Sequence, residues 1–131
     1  MALLLWTEDL SVNEEIDYQH KKLFDIFNQL HEKITSGEDT LAIDNLMELF
    51  DFALLHFETE EELYQKLSYP GYVEQKKEHD ELTVKVMALQ KKAEAGELTI
   101  SFDLLDFLYD WLLRHTSTID KKFAEFLRNK N

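Results

Sequence analysis

Apolar residues recur along the chain in steps of three and four, the spacing of one face of an α-helix. Ile16, His20, Leu23, Phe24, Phe27, Leu30 and Ile34 make one such stripe, and Leu46, Leu49, Phe50, Ala53, His56, Glu60, Leu63 and Leu67 a second. Tyr72, Gln75, His79, Leu82, Val86, Leu89 and Ala93 make a third, and Leu104, Leu108, Trp111, Leu112, His115, Ile119, Phe123 and Phe126 a fourth. Between the stripes lie the turn-forming stretches TSGEDT (35–40), SYPG (68–71) and AGELTIS (95–101), each with a glycine. Segments of roughly 20 to 28 residues give helices of about 30 to 40 Å at the α-helical rise. Short loops make neighbours antiparallel, so the pattern predicts an all-α, up-down-up-down four-helix bundle with an N-terminal arm.

Composition agrees with that expectation. Three glycines and one proline among 131 residues are too few for the many turns of a sheet protein. The length suits one domain, expected to span residues 1–131. A net charge of −13 argues against nucleic acid or an anionic membrane as partner, because both require a positive surface. With no cysteine, disulfides, thiolate metal sites and a cysteine nucleophile are excluded. The apolar opening MALLLW soon meets Glu8 and Asp9, too soon for a leader or a membrane span. The expectation is a cytoplasmic monomer.

The chemistry lies in what interrupts the stripes. His20, His56, Glu60, Gln75, His79 and His115 all occupy positions that should be core. A buried carboxylate costs several kcal/mol unless something compensates it. A single histidine on such a stripe is more often a satisfied core residue. If roughly three in seven helix positions face inward, however, finding four of the five histidines there is about a one-in-ten event by chance. Because the helices alternate in direction, His20, His56, Glu60, Gln75, His79, His115 and Asp120 all fall toward one end of the bundle. His31 projects near the His20 face but about 16 Å further along the axis, outside that layer.

His56 and Glu60 are four apart and share a face. His115 and Asp120 are five apart, which on an α-helix swings Asp120 about 140° from His115, so Asp120 should reach a common centre only from the flank. Asp17, three before His20, is read as a first-turn acid favoured by the helix dipole. Four imidazoles and two carboxylates exceed the needs of one tetrahedral zinc and suit a pair of first-row ions such as iron. The Glu-x-x-His pattern of ferritin-like diiron bundles is absent.

The set LLLWTEDLSVNEEIDYQHKKL, HFETEEELY, YPGYVEQKKEHDEL and WLLRHTSTIDKKF resembles the hemerythrins, and specifically the bacterial single-domain form, over nearly the whole chain. The resemblance implies a non-haem diiron site that binds O2 reversibly. His20 and His56 would hold the iron with the open position, His79 and His115 the other, with Glu60 and Asp120 bridging. The chain departs from the family pattern at Gln75, where helix three carries Q-x-x-x-H in place of H-x-x-x-H. Three arrangements are open there: the amide oxygen ligates, water fills the position, or Glu74 or Glu78 swings in. Carriage, storage or sensing of O2 is the leading expectation. The alternative is an enzyme that reduces peroxide, O2 or NO at a more open site.

Overall fold

Each predicted stripe lies on a helix in the computed structural model, which describes residues 3–129. Met1 and Ala2 of the apolar opening lie outside the described residues, as do Lys130 and Asn131. The helices are α1 (Glu14–Thr35), α2 (Asp39–Lys66), α3 (Tyr72–Glu94) and α4 (Phe102–Arg114). A π-helical turn, His115–Ile119, leads from α4 directly into α5 (Asp120–Asn129). The fourth predicted helix is therefore one path wound in three pieces. No strand occurs among the described residues, and no helix is long and apolar enough to cross a membrane.

Local chemistry sets the helix boundaries. The Asn13 side chain accepts a hydrogen bond from the Ile16 amide, and Glu14, Glu15 and Asp17 place negative charge on the first turn of α1. Ser101 caps α4 in the same way, accepting from the Leu104 amide at 3.1 Å. Gly37 and Gly96 follow α1 and α3 at φ of +75° and +71°, the left-handed conformation that reverses a chain at little cost only without a Cβ.

The arm is fastened at two places. Asn28 on α1 pairs with both backbone groups of Leu4, accepting from its amide and donating to its carbonyl, each at 2.9 Å. Asp17 accepts from the Ser11 hydroxyl at 2.6 Å and the Val12 amide at 2.7 Å. Asp17 is thus a latch for the arm.

The core is divided. A large apolar cluster includes Leu23, Phe27, Leu49, Phe57, Leu82, Val86, Leu105 and Trp111. A small one is formed by Ile16, Tyr64 and Phe123. In α1, α2 and the fourth path, the polar residues of the sequence pattern fall between members of these two clusters. His20 lies between Ile16 and Leu23, and Glu60 between Phe57 and Tyr64. Asp120 lies between Leu112 and Phe123. A polar layer is enclosed between two apolar ones.

Candidate metal centre

All seven residues singled out in the sequence are buried. His20, His56, Glu60 and Asp120 show no exposed surface, His79 and His115 are 1% exposed, and Gln75 is 6% exposed. Ligating atoms of His20, His56, Glu60, His115 and Asp120 all lie within 4.8 Å of one another. His79 stands just outside that mutual set, yet its Nε2 is 3.4 Å from Glu60 Oε1. His31 is half-buried and takes no part in the cluster.

Asp120 takes the place that an unbroken α-helix would deny it. Its backbone amide donates to the His115 carbonyl, five residues back, which is the bond of a π turn. The expectation that Asp120 could approach only from the flank assumed uninterrupted α-helical winding. The π turn instead brings His115 Nε2 and Asp120 Oδ2 to 3.0 Å. The cause is visible in HTSTI. Thr116 donates through its hydroxyl to the Leu112 and Leu113 carbonyls at 2.9 and 3.2 Å, and Ser117 to the Leu113 carbonyl at 2.6 Å. Hydroxyls that compete for backbone acceptors loosen the α-helical ladder where the extra residue is accommodated.

Hydrogen bonds on the outer side fix the tautomers of two histidines. Thr59 donates to the Leu55 carbonyl at 3.1 Å, and Gln19 donates through its amide nitrogen to Thr59 at 3.1 Å. The Gln19 carbonyl therefore faces His56 Nδ1 at 2.7 Å, so Nδ1–H is the donor and Nε2 is left free on the inner side. His79 Nδ1 likewise donates to Glu61 at 2.8 Å. Aromatic rings hold the imidazole planes on the other side. His79 stacks on Phe57 at 4.2 Å and His115 on Trp111 at 4.6 Å.

Glu60 and Asp120 sit at the middle. Glu60 Oε1 lies 3.1 Å from His56 Nε2 and 3.0 Å from His115 Nε2, while Asp120 Oδ2 lies 2.6 Å from His20 Nε2. The Tyr64 hydroxyl donates to both carboxylates, to Glu60 at 3.2 Å and to Asp120 at 3.4 Å. Burial alone would drive these groups neutral, but their mutual attraction prevails. Burial pushes His56 down and Glu60 with Asp120 pulls it up to about 8. His115, under the same opposition, rises to about 10. Burial raises Glu60, but His56 and His115 hold it well below the usual carboxylate range. Asp120 is lowered despite burial and Glu60, because His115 attracts its charge. For His20, burial wins and the imidazole is pushed down.

Gln75 is oriented by the π turn. Its amide nitrogen donates to the Ile119 carbonyl at 3.2 Å, which turns Oε1 the other way, buried and without a hydrogen-bond partner. Of the two neighbours that offered alternatives, Glu78 lies 3.3 Å from Arg114 Nη1 and Glu74 is exposed.

Comparison with known proteins settles the family. The hemerythrin HHE cation binding domain matches residues 11–127. The bacteriohemerythrin of Methylococcus capsulatus is 36% identical over 97% of this chain and 98% of its own length. The chain belongs to the hemerythrin family. A second bacteriohemerythrin, from Stenotrophomonas maltophilia, is 32% identical over 95% of this chain and 82% of its own. The crystal structure of wild-type hemerythrin superposes with a TM-score of 0.85 at 36% identity, covering 95% of this chain and 97% of that one. A hemerythrin mutant gives 0.86 at 35% identity with the same coverage. The four-helix bundle expected from the stripes is thereby shown, and with it a hemerythrin with a candidate His, Glu and Asp metal site.

The donor set fits the cation this hemerythrin domain implies. His56 Nε2 and His79 Nε2 are buried without hydrogen-bond partners, although Glu60 Oε1 is near both. The carboxylate lies beside these nitrogens rather than in line with them, as when several donors converge on a shared ion. Nitrogen and oxygen donors without thiolate match first-row divalent metals. The outer partners Gln19, Thr59, Glu61 and Tyr64 escaped the sequence reading. Tyr64, four after Glu60, was within reach of the same-face rule; the others depend on contacts between helices.

Proposed function

We propose that residues 1–131 act as one domain that holds a pair of iron ions and binds O2 reversibly, for carriage, storage or sensing. His20 and His56 would hold one ion, His79, His115 and the Gln75 amide oxygen the other, with Glu60 and Asp120 shared between them. The observation that carries this reading is the buried convergence of ligating atoms from His20, His56, Glu60, His115 and Asp120 within 4.8 Å. Bound there, an iron pair supplies the two electrons that O2 takes up and returns.

The residues of the chain prepare the site for that task. Gln19 and Glu61 hold Nδ1 of His56 and His79, so that both rings offer Nε2 inward. Tyr64 keeps a hydrogen bond on each carboxylate and so favours the ionised form that a cation requires. The apolar layers on both sides exclude bulk water and protons from the enclosed layer. The acidic surface suits a dispersed cytoplasmic monomer.

A second reading is an enzyme that reduces peroxide, O2 or NO. It is favoured by Gln75, whose amide is a weaker donor than imidazole and whose residue lines a surface cavity. Iron content, with absorption spectra of the reduced protein under argon and under air, tests the proposal. The expected result is two irons per chain and a charge-transfer band that appears in air and fades under argon. Trace metal after reconstitution with ferrous iron overturns it. Rapid turnover with a reductant and no lasting oxygenated species selects the enzyme.

A further inference from the structure

Tyr64 is the polar member of the small apolar cluster. With Ile16 and Phe123 it closes one side of the polar layer, and it has no exposed surface. Its hydroxyl nevertheless reaches the centre, donating to Glu60 at 3.2 Å and to Asp120 at 3.4 Å. Among the described residues, no other tyrosine hydrogen-bonds either carboxylate. An apolar side chain would close the layer without burying a hydroxyl that must find partners. What a phenol adds is an electron it can give up. Oxidising it in apolar surroundings leaves a costly buried charge unless its proton departs with the electron. Two carboxylates within hydrogen-bond reach offer that proton a place to go.

A route outward continues from the ring. Tyr69 lies 5.2 Å from Tyr64 between ring centres, and Phe123 stands edge to face with both, at 4.7 and 4.9 Å. Tyr69 is half-buried and lines the surface cavity whose rim carries the exposed residues Thr118 and Lys122. Electron exchange between side chains falls steeply with separation, so two phenols in ring contact connect the carboxylates to the surface. The rings stacked on the histidines lack one half of this arrangement. Phe57 has no acidic proton, and among the described residues Trp111 hydrogen-bonds neither carboxylate.

We infer that Tyr64 and Tyr69 form an electron relay between the centre and a one-electron donor in solution, of the ascorbate class. The inference rests on the metal-pair reading and adds a task to it: completing the reduction of O2 that is not returned. O2 needs four electrons and four protons to become two waters, and two ferrous ions supply two of the electrons. Tyr64 gives the third, passing its proton by way of Glu60 or Asp120, and becomes a phenoxyl radical. Tyr69 refills Tyr64, the donor refills Tyr69, and a second pass delivers the fourth electron. The O–O bond breaks, the two relay protons come from the donor, and solvent provides the other two.

Electron paramagnetic resonance tests the relay directly. Reduced, iron-loaded protein mixed with O2 and frozen should show a phenoxyl signal that narrows when the tyrosines carry ring deuterium. Tyr64→Phe should lose that signal. Tyr69→Phe should load iron as the parent does; ascorbate should erase the signal in the parent and leave it in this variant. In zinc-loaded protein, whose metal is redox-silent, photo-oxidised ruthenium tris(bipyridine) should place a radical on residue 64 in the parent and not in Tyr69→Phe. Equal yields there overturn the route through Tyr69. A fully iron-loaded parent without a signal, or a signal unmoved by deuterium or surviving Tyr64→Phe, overturns the relay alone. Failure of the parent to load iron overturns the metal-pair reading instead.

Discussion

The two halves of the centre are built by different means. Around His20 and His56 the rings meet edge to face at 4.8 Å, and the outer partner of His56 is the neutral amide of Gln19. Around His79 and His115 each ring lies flat on an aromatic neighbour, and the outer partner of His79 is the carboxylate of Glu61. Glu61 is itself partly exposed and 3.4 Å from Lys76 on the surface. The half beside Gln75 is thus the one supported by a charge. A carboxylate partner makes an imidazole a stronger donor than an amide partner does. The difference teaches that rings of one buried layer can be braced by unlike chemistry, a neutral amide behind His56 and a carboxylate behind His79.

The most severe way to break the comparison is to remove what the halves share. Glu60→Ala should abolish loading of the pair, leaving one metal or none by elemental analysis, because Glu60 touches histidines of both halves. Gln75→His would erase the asymmetry. It should tighten metal in the second half by at least the ~10-fold that outer partners control, measured by chelator competition. Glu61→Gln keeps the hydrogen bond and removes the charge. It should weaken the second half by roughly 10-fold, while Gln19→Leu weakens only the first.

Acidity sharpens the comparison further. His56 and His115 rise from an ordinary 6.5 to about 8 and about 10. Their contribution to the stability of the metal-free fold is therefore complete below pH 6.5 and lost as pH climbs through 8 to 10. Glu60, held low, contributes above its ordinary 4.5 and is lost in acid, where the lowered His20 opposes folding as well. The thermal midpoint of the metal-free protein should fall between pH 7 and 10, while metal affinity rises over the same range as protons leave the imidazoles. The smallest effect is expected from Tyr64→Phe, about 1 kcal/mol by denaturant melting for two long hydrogen bonds.

What the sequence disclosed depended on the range of the interaction. The stripes identified Leu23, Phe27, Leu46, Leu82 and Leu108 as core because helical periodicity is local, and all five are buried. The same periodicity put His20, His56, Glu60, Gln75, His79 and His115 inside, and alternating helix direction gathered them at one level. The rule misplaced Asp120, because counting at 100° per residue assumes a regular helix. The hydroxyls of Thr116 and Ser117 were the only local sign of an irregular one. Gln19 and Glu61 gave no local sign, since each meets its histidine only when helices pack.

The π turn has a consequence for how this chain tolerates change in length. It acts as a phase adjuster, letting two stretches of helix face the same interior although the residues between them are one too many for regular winding. Deleting a single residue between His115 and Asp120 would restore that winding and leave everything downstream facing nearly the same way, with Asp120 four residues from His115 as Glu60 is from His56. Inserting one residue between Asp120 and Phe123, where no turn absorbs it, would instead rotate Phe123 and Ala124, both buried, by about 100° out of the core. A loss of one residue inside the turn would thus be absorbed, while one residue added beyond it would disconnect the last stretch of the bundle from the first three helices.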